Sequence, residues 1–155
     1  MKIEIGQKAP AFILLDTEKN EVKLENYKGK NVLLLFFPLA FTGTCTAELC
    51  AMRDDIASYN NANAQVFGIS VDSRFVLAKF KEEQKLNFPL LSDFNKDAST
   101  AYGVLYEDFI GMKGVSKRSA FVIDKDGIVR YAEVLEKASD LPNFTAIKEV
   151  LAKLK

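Results

Sequence analysis

The sequence predicts an α/β fold with a mixed central sheet flanked by helices, formed as one domain over residues 1–155. Three observations indicate this fold. Continuous apolar runs at 32–37 and 66–71 are typical of strands buried on both faces. Segments with helical spacing follow both runs. A hairpin and a last amphipathic helix complete the chain, so the sheet is expected to combine parallel and antiparallel strands.

Alternation, apolar runs and turn residues place the individual elements. The predicted strands are Lys2–Ile5, Phe12–Leu15, Glu21–Leu24, Asn31–Phe37, Gln65–Val71, Leu90–Ser92, Lys117–Ile123 and Ile128–Glu133. A helical turn is predicted at Leu24–Tyr27, and a long helix at about Gly43–Asn61. The next predicted helix is capped by Asp72 or Ser73 and ends near Leu86. A short helix is predicted within Asp93–Tyr102, and a last helix after Pro142. Two turns remain: Thr17–Asn20 links an N-terminal β-hairpin, and Asp124–Gly127 favours a hairpin turn over a calcium loop.

Charge and hydropathy exclude several classes of function. The 21 basic and 21 acidic residues cancel, so no basic excess points to nucleic acid or an anionic membrane. The longest apolar run is too short to span a membrane. The N-terminal Met1–Ile5 does not resemble a signal peptide, because a charge breaks its short apolar stretch. We therefore expect a cytoplasmic protein, in which two cysteines are more often redox-active than structural.

The sequence contains no histidine. This excludes Ser-His and Cys-His hydrolases and removes the commonest ligand of transition metals. A zinc site would need both cysteines plus carboxylates, which the spacing of the cysteines disfavours. We predict no metal and no cofactor, so a reactive cysteine would have to be activated by backbone N–H groups, a helix dipole and a cation such as arginine.

Both cysteines lie in one strand–turn–helix stretch, residues 32–53. Pro38 ends the strand, Thr42 precedes the helix, and Cys45 falls in its first turn, where the dipole and unpaired N–H groups favour thiolate. On a helix, residues five apart point about 140° away from each other and their Cα atoms lie roughly 8–9 Å apart. A disulfide tolerates only about 7 Å, so pairing of Cys45 with Cys50 would require the helix to open.

A purely structural role for Cys45 is also compatible with the sequence. Apolar residues recur at steps of three and four along the predicted helix, and this stripe comprises Cys45, Leu49, Met52, Ile56 and Tyr59. A free cysteine on such a face is most often a buried core residue. Cys50 lies off the stripe, close to Arg53 and Ala57.

Three separated motifs resemble the peroxiredoxin (AhpC/TSA-like) family over nearly the whole chain. Pro38-x-x-x-Thr42-x-x-Cys45 resembles its active-site signature, Arg118 precedes an apolar strand as its active-site arginine does, and Gly6–Phe12 resembles its opening. The strand–turn–helix thiol site is similar to a thioredoxin-like fold with an N-terminal β-hairpin extension. The position of Cys50 is similar to the Q-type (bacterioferritin comigratory protein) group, whereas residues 102–107 and 121–133 resemble the E-type group as closely.

The resemblance implies a thiol peroxidase and a role for each residue. Cys45 would attack the peroxide, Thr42 would hydrogen-bond it, and Arg118 would stabilise the thiolate and the transition state. Pro38 would shield the site from water, and Glu48 would support it from behind. Cys50 is the candidate resolving cysteine, and the resulting disulfide would be reduced by thioredoxin or a glutaredoxin-like protein.

Each residue also has a simpler explanation. Thr42 could cap the helix, Pro38 could only end the strand, Glu48 could only complement the dipole, and Arg118 could be a surface charge. If Cys50 is idle, the enzyme works with one cysteine and an external resolving thiol.

Two other classes of function, and the oligomeric state, also stay open. A thiol–disulfide oxidoreductase is disfavoured, since four residues instead of two separate the thiols. A non-catalytic binding protein could use the apolar segment 106–112 as a partner surface. The oligomeric state is left between monomer and homodimer.

Overall fold

A computed structural model describes residues 2–154 of the chain. Its strands are β1 (Ile13–Asp16), β2 (Glu21–Lys23), β3 (Asn31–Phe36), β4 (Ala64–Ser70), β5 (Leu90–Ser92), β6 (Ser119–Ile123) and β7 (Val129–Val134). Its helices are α1 (Gly43–Asp54), α2 (Ile56–Asn61), α3 (Arg74–Gln84), α4 (Asp97–Ala101) and α5 (Phe144–Lys153), with a 3₁₀ turn at Leu24–Tyr27.

The seven strands form one mixed sheet in the order β2-β1-β5-β4-β3-β6-β7. The three central strands β3, β4 and β5 are parallel, with Leu34 opposite Phe67. On the other side of β3, β6 runs antiparallel and places Phe121 opposite Leu34. The N-terminal hairpin β1–β2 joins the sheet antiparallel to β5. The predicted α/β class, the mixed sheet and the N-terminal hairpin are therefore confirmed.

The central strand β3 divides the core because alternate side chains point to opposite faces. Leu33, Leu35 and Phe37 face a cluster to which α1, α2, α3 and α5 contribute. Val32, Leu34 and Phe36 face a second cluster, built from the N-terminal segment, the hairpin and α4. Every residue of β3 is buried, which is why its sequence is a continuous apolar run without alternation.

Two predicted elements differ in the structure. Residues 2–5 do not form a strand, because the Glu4 N–H bonds the Gln7 side chain and the chain turns at Gly6. The long helix predicted to reach Asn61 is broken at Asp55, which separates α1 from α2. The Asp55 carboxylate accepts from the Ser58 hydroxyl, a local bond of the kind that competes with continuous helix.

Within residues 2–154, no helix is long and apolar enough to cross a membrane. Of the two cap candidates for α3, Ser73 accepts from the N–H of Val76, whereas Asp72 has a different role described below. The turn at 124–127 is stabilised by Asp124, whose carboxylate accepts from the N–H groups of Asp126 and Ile128. This supports its structural interpretation.

Gly68 in β4 tests how tightly β4 packs against the side chain of Leu90, its partner in β5. A Cβ at this position would lie 2.7 Å from Leu90 Cδ2, a fully buried atom with little room to move. We expect Gly68→Ala to lower the free energy of unfolding by about 1–3 kcal/mol through overpacking. Urea denaturation would measure this, with Gly43→Ala as the matched control, since the same methyl group there meets nothing within 4 Å. Equal stability of the two variants would contradict the packing.

Candidate active site

The loop between β3 and α1 is fixed before the helix begins. Pro38, the second residue after β3, is buried, and Phe41 turns the chain with a φ of 65°. The Ala40 N–H donates to Asp72 Oδ2 (2.8 Å), and this same oxygen accepts from the Ser70 hydroxyl (2.6 Å). Asp72 therefore attaches the loop to the end of β4, a role that its position before α3 did not reveal.

Cys45 lies in the first turn of α1 with its side chain 1% exposed. It belongs to the same core cluster as Leu49, Met52 and Tyr59, so the predicted apolar stripe is real. Cys45 also borders an open pocket beside Thr42. The core position and the reactive position of Cys45 are thus compatible.

Arg118 enters the site from the residue before β6. Because β6 runs antiparallel to β3, with Ser119 opposite Phe36, the start of β6 lies beside the end of β3 where α1 begins. The guanidinium donates from Nη2 to Cys45 Sγ at 3.2 Å and from Nη1 to Glu48 Oε1 at 2.6 Å. With its side chain only 1% exposed, Arg118 is not a surface charge.

A third segment completes the coordination of Arg118. The carbonyl oxygen of Ala138, in the loop after β7, accepts from Arg118 Nε (3.2 Å) and Nη2 (2.9 Å). Sequence reasoning missed this group, because any residue can supply a main-chain carbonyl and nothing in the side-chain pattern marks it.

Burial and charge act in opposite directions on this ion pair. Burial by itself would lower the pKa of Arg118, but the Glu48 carboxylate and the Cys45 thiolate outweigh it and raise that pKa, so the guanidinium stays charged. Burial raises the pKa of Glu48 from 4.5 to about 7, although Arg118 lowers it by charge and hydrogen bonding. Among the described residues, Glu48 Oε2 has no hydrogen-bond partner. Glu48 therefore does more than complement the helix dipole.

Thr42 precedes α1 but does not cap it with its side chain. Its hydroxyl instead donates to the carbonyl oxygen of Leu39 at 2.7 Å, and its own carbonyl accepts from the N–H and hydroxyl of Thr46. Since the single hydroxyl hydrogen is used, the Thr42 oxygen offers only acceptor lone pairs to a ligand.

A pocket of about 250 Å³ opens over Cys45. Its lining comprises Pro38, Thr42, Gly43, Thr44, Cys45, Phe109, Ile110, Arg118, Ala138 and Ser139. Phe109 and Ile110 come from the segment that the sequence suggested as a partner surface. Tyr106 ties this wall to the loop after β7, because its ring stacks on Phe109 (5.0 Å) and its hydroxyl donates to the Glu136 carbonyl (2.9 Å).

Cys50 is not part of this pocket. It is a half-buried free thiol whose Sγ lies 3.4 Å from Gln84 Oε1 at the end of α3. Within residues 2–154, no cluster of three or more Cys, Asp and Glu side chains could hold a metal ion. Four of the six predicted site residues, Pro38, Thr42, Cys45 and Arg118, line one pocket, Glu48 lies behind it, and Cys50 stands apart.

Comparisons with known proteins identify the family to which the chain belongs. A sequence model of the AhpC/TSA family matches residues 5–132. The chain is 41% identical over 135 residues to alkyl hydroperoxide reductase E of Mycobacterium tuberculosis, covering 85% of this chain and 86% of that protein. It is 37% identical to the mitochondrial thioredoxin-dependent peroxide reductase of Drosophila melanogaster, covering 99% of this chain and 66% of that protein.

The fold agrees with these sequence matches. The crystal structure of peroxidoxin BcpB from Mycobacterium tuberculosis superimposes with a TM-score of 0.88 at 29% identity and covers 99% of both chains. This confirms the thioredoxin-like fold. The two mycobacterial relatives carry the names of both subgroups suggested by the sequence, the E-type and the Bcp group. The extent of the family match and these identities show that the chain belongs to the AhpC/TSA family, the peroxiredoxins.

Proposed function

We propose that this protein is a thiol-dependent peroxidase that reduces hydrogen peroxide and organic hydroperoxides through a sulfenic acid on Cys45. One observation carries the proposal: the Cys45 sulfur lies 3.2 Å from a fixed, buried guanidinium at the base of an open pocket. A positive charge at this distance favours the thiolate, which is the nucleophilic form of cysteine. The names of its relatives, alkyl hydroperoxide reductase and peroxide reductase, agree with this activity.

In the first step the Cys45 thiolate attacks the terminal oxygen of the peroxide. An S–O bond forms while the O–O bond breaks, and the second oxygen leaves with the electron pair. The hydroxyl proton of the peroxide moves to the leaving oxygen, so the products are the Cys45 sulfenate and an alcohol, or water when the substrate is hydrogen peroxide. The sulfenate then takes one proton from solvent and becomes the sulfenic acid.

Arg118 and Thr42 act on different atoms of the substrate. Negative charge moves from sulfur to the leaving oxygen, and the positive guanidinium of Arg118 beside the sulfur would stabilise that charge in the transition state. The Thr42 oxygen can accept from the peroxide hydroxyl, since its own hydrogen is held by Leu39. Together these contacts would align the O–O bond with the attacking sulfur.

Glu48 has a positioning role behind Arg118. Its carboxyl group accepts from Nη1, whereas Nη2 contacts Cys45, so the bond to Glu48 helps to fix the orientation of the guanidinium. Pro38, buried beside Cys45, excludes water from the rear of the site. Neither residue needs to touch the peroxide for the chemistry above.

In the second step Cys50 resolves the sulfenic acid to an intramolecular disulfide, and thioredoxin or a similar dithiol reduces that disulfide. Helix geometry requires the start of α1 to unwind first, because both cysteines lie on the intact helix. One observation favours the alternative of a one-cysteine enzyme: Cys50 lies outside the pocket and bonds Gln84. Mass spectrometry after one equivalent of peroxide separates the two, since the alternative stops at sulfenic acid.

Cys45→Ser should abolish peroxide consumption in the presence of dithiothreitol, because a hydroxyl group is not deprotonated by this environment. Cys50→Ser is the matched control and should retain the first step. Both variants are compared by the loss of peroxide with time. Turnover by Cys45→Ser would assign the nucleophile to another residue.

Arg118→Lys keeps the positive charge but loses the planar fork that binds Cys45, Glu48 and Ala138 together. We expect sulfenic acid formation to slow by about 10- to 1000-fold, the range for loss of one preorganised donor. Stopped-flow fluorescence of oxidation measures this step. Arg130→Lys, which also keeps the charge of an ion-paired arginine but lies outside the pocket, is the control. A wild-type rate in Arg118→Lys would remove Arg118 from the transition state.

Glu48→Gln should change how stability depends on pH. The folded-state pKa of Glu48 is raised from 4.5 to about 7, so the fold binds its proton more tightly than the unfolded chain does. The stabilisation of the fold by protonated Glu48 is fully present below pH 4.5 and is lost as the pH rises through about 7. Glu48→Gln has no carboxyl group to titrate, so it should not show this loss. Between pH 4.5 and 7, the free energy of unfolding of the wild type should therefore fall relative to that of the variant, on the order of 2–3 kcal/mol. Parallel urea-denaturation curves from pH 4.5 to 8 would contradict the raised pKa.

A further inference from the structure

The ends of α1 and α3 are joined beside Cys50. Its thiol donates to the side-chain oxygen of Gln84, the last residue of α3, at 3.4 Å. Arg53, one turn further along α1, donates from Nη1 to the main-chain oxygen of the same Gln84. In return, Asn87 Nδ2 donates to the main-chain oxygen of Arg53 at 3.2 Å. We call Arg53, Gln84 and Asn87 the helix-end clamp.

The clamp satisfies groups that a helix leaves open. The last four carbonyl oxygens of an α-helix have no N–H partner within the helix. The Gln84 oxygen is the last carbonyl of α3, and the Arg53 oxygen is next to last in α1. The Gln84 oxygen is bonded by the Arg53 side chain from α1, and the Arg53 oxygen is bonded by the Asn87 side chain that follows α3. Unwinding of either helix end would therefore break a bond that supports the end of the other helix. The Arg53 cation also complements the negative end of the α3 dipole.

The start of α1 is held differently. Its N-cap residue, Thr42, makes no side-chain bond to the helix and donates to Leu39 instead. Such a missing cap weakens a helix N-terminus by about 1 kcal/mol. The bond from Arg118 to Cys45 is made at the sulfur that the peroxide step oxidises, so that step changes the acceptor of this bond. After the peroxide step, the first turns are therefore the weaker half of α1 and the clamped turn is the stronger half.

We propose that Arg53, Gln84 and Asn87 are positioning residues that keep Cys50 stationary, so that Thr42–Leu49 unwinds and carries Cys45 to it. The inference rests on the proposed resolving role of Cys50. In this step the Cys50 sulfur attacks the Cys45 sulfur, the S–S bond forms as the S–O bond breaks, and the Cys50 proton leaves with the hydroxyl group as water.

A mechanism in which Cys50 moves instead of Cys45 predicts the opposite effect of the clamp on the rate of disulfide formation. If Cys50 had to leave α3 and travel to the pocket, the clamp would be a barrier, and its removal would accelerate disulfide formation. If the clamp instead holds Cys50 in place for the attack, its removal misplaces the nucleophile and slows the reaction.

The test follows disulfide formation after one equivalent of hydrogen peroxide by rapid quench and intact mass. We expect Asn87→Ala and Arg53→Met to form the disulfide about two- to tenfold more slowly than wild type, the range set by one hydrogen bond. Arg53→Lys should restore much of the rate because it can still donate to the Gln84 oxygen. Sulfenic acid formation should be unchanged in all three. Glu83→Ala, an exposed neighbour of Gln84 on α3, is the matched control.

Hydrogen exchange on the reduced and disulfide forms locates the moving half directly. Protection should be lost over residues 43–49 of the disulfide form and kept over 51–54. Faster disulfide formation in the clamp variants, an unchanged rate, or loss of protection at 51–54 would each overturn the inference. If the wild type consumes peroxide but forms no intramolecular disulfide, the clamp has no such role while the peroxidase stands. If Cys45 does not react at all, the proposed function itself fails.

Discussion

The buried guanidinium of Arg118 is the interaction on which the site depends. It joins three distant segments: α1 through Cys45 and Glu48, the start of β6, and the loop after β7 through Ala138. A charge with this little exposure is costly to bury unless opposite charge and hydrogen bonds surround it. The same contacts that compensate for burial also aim the guanidinium at the sulfur. Stability and reactivity are therefore coupled at one group, because loosening any of the three segments would leave the charge without partners.

Sheet topology makes this meeting possible. The end of β3, the start of β6 and the start of α1 lie close together because β6 pairs antiparallel with β3 and a short loop, residues 37–42, connects β3 to α1. Asp72 then holds the intervening loop to the neighbouring end of β4, through the Ala40 N–H and the Ser70 hydroxyl. Cys45 can thus occupy a buried core position at the first turn of α1 and still contact Arg118.

Helix α1 combines two demands that oppose each other. Its apolar stripe from Cys45 to Met52 packs into the core, yet its cysteines can meet only if part of that stripe leaves. The two ends of the helix resolve this conflict differently. The start lacks a side-chain cap and is held by the contact of Cys45 with Arg118, whereas the other end is joined to α3 by side-chain bonds in both directions. The proposed disulfide would therefore require opening at the start of the helix.

The sequence alone determined the α/β class, the buried central strands, the N-terminal hairpin and the position of Cys45 at a helix start, because periodicity, turn residues and motif spacing are local properties. It also placed Pro38, Thr42 and Arg118 by resemblance to a family. It misplaced a strand at 2–5 and ran α1 through Asp55, where local side-chain bonds to Gln7 and Ser58 replace regular structure. Only the tertiary structure decided that Glu48 is a buried partner of Arg118 and that Thr42 bonds Leu39 instead of capping. It alone showed that Ala138 accepts from Arg118, that Asp72 holds the loop before α1, and that Gln84 contacts Cys50. The physical reason is that these contacts join residues distant in sequence, or use main-chain atoms that every residue possesses, so no local pattern records them.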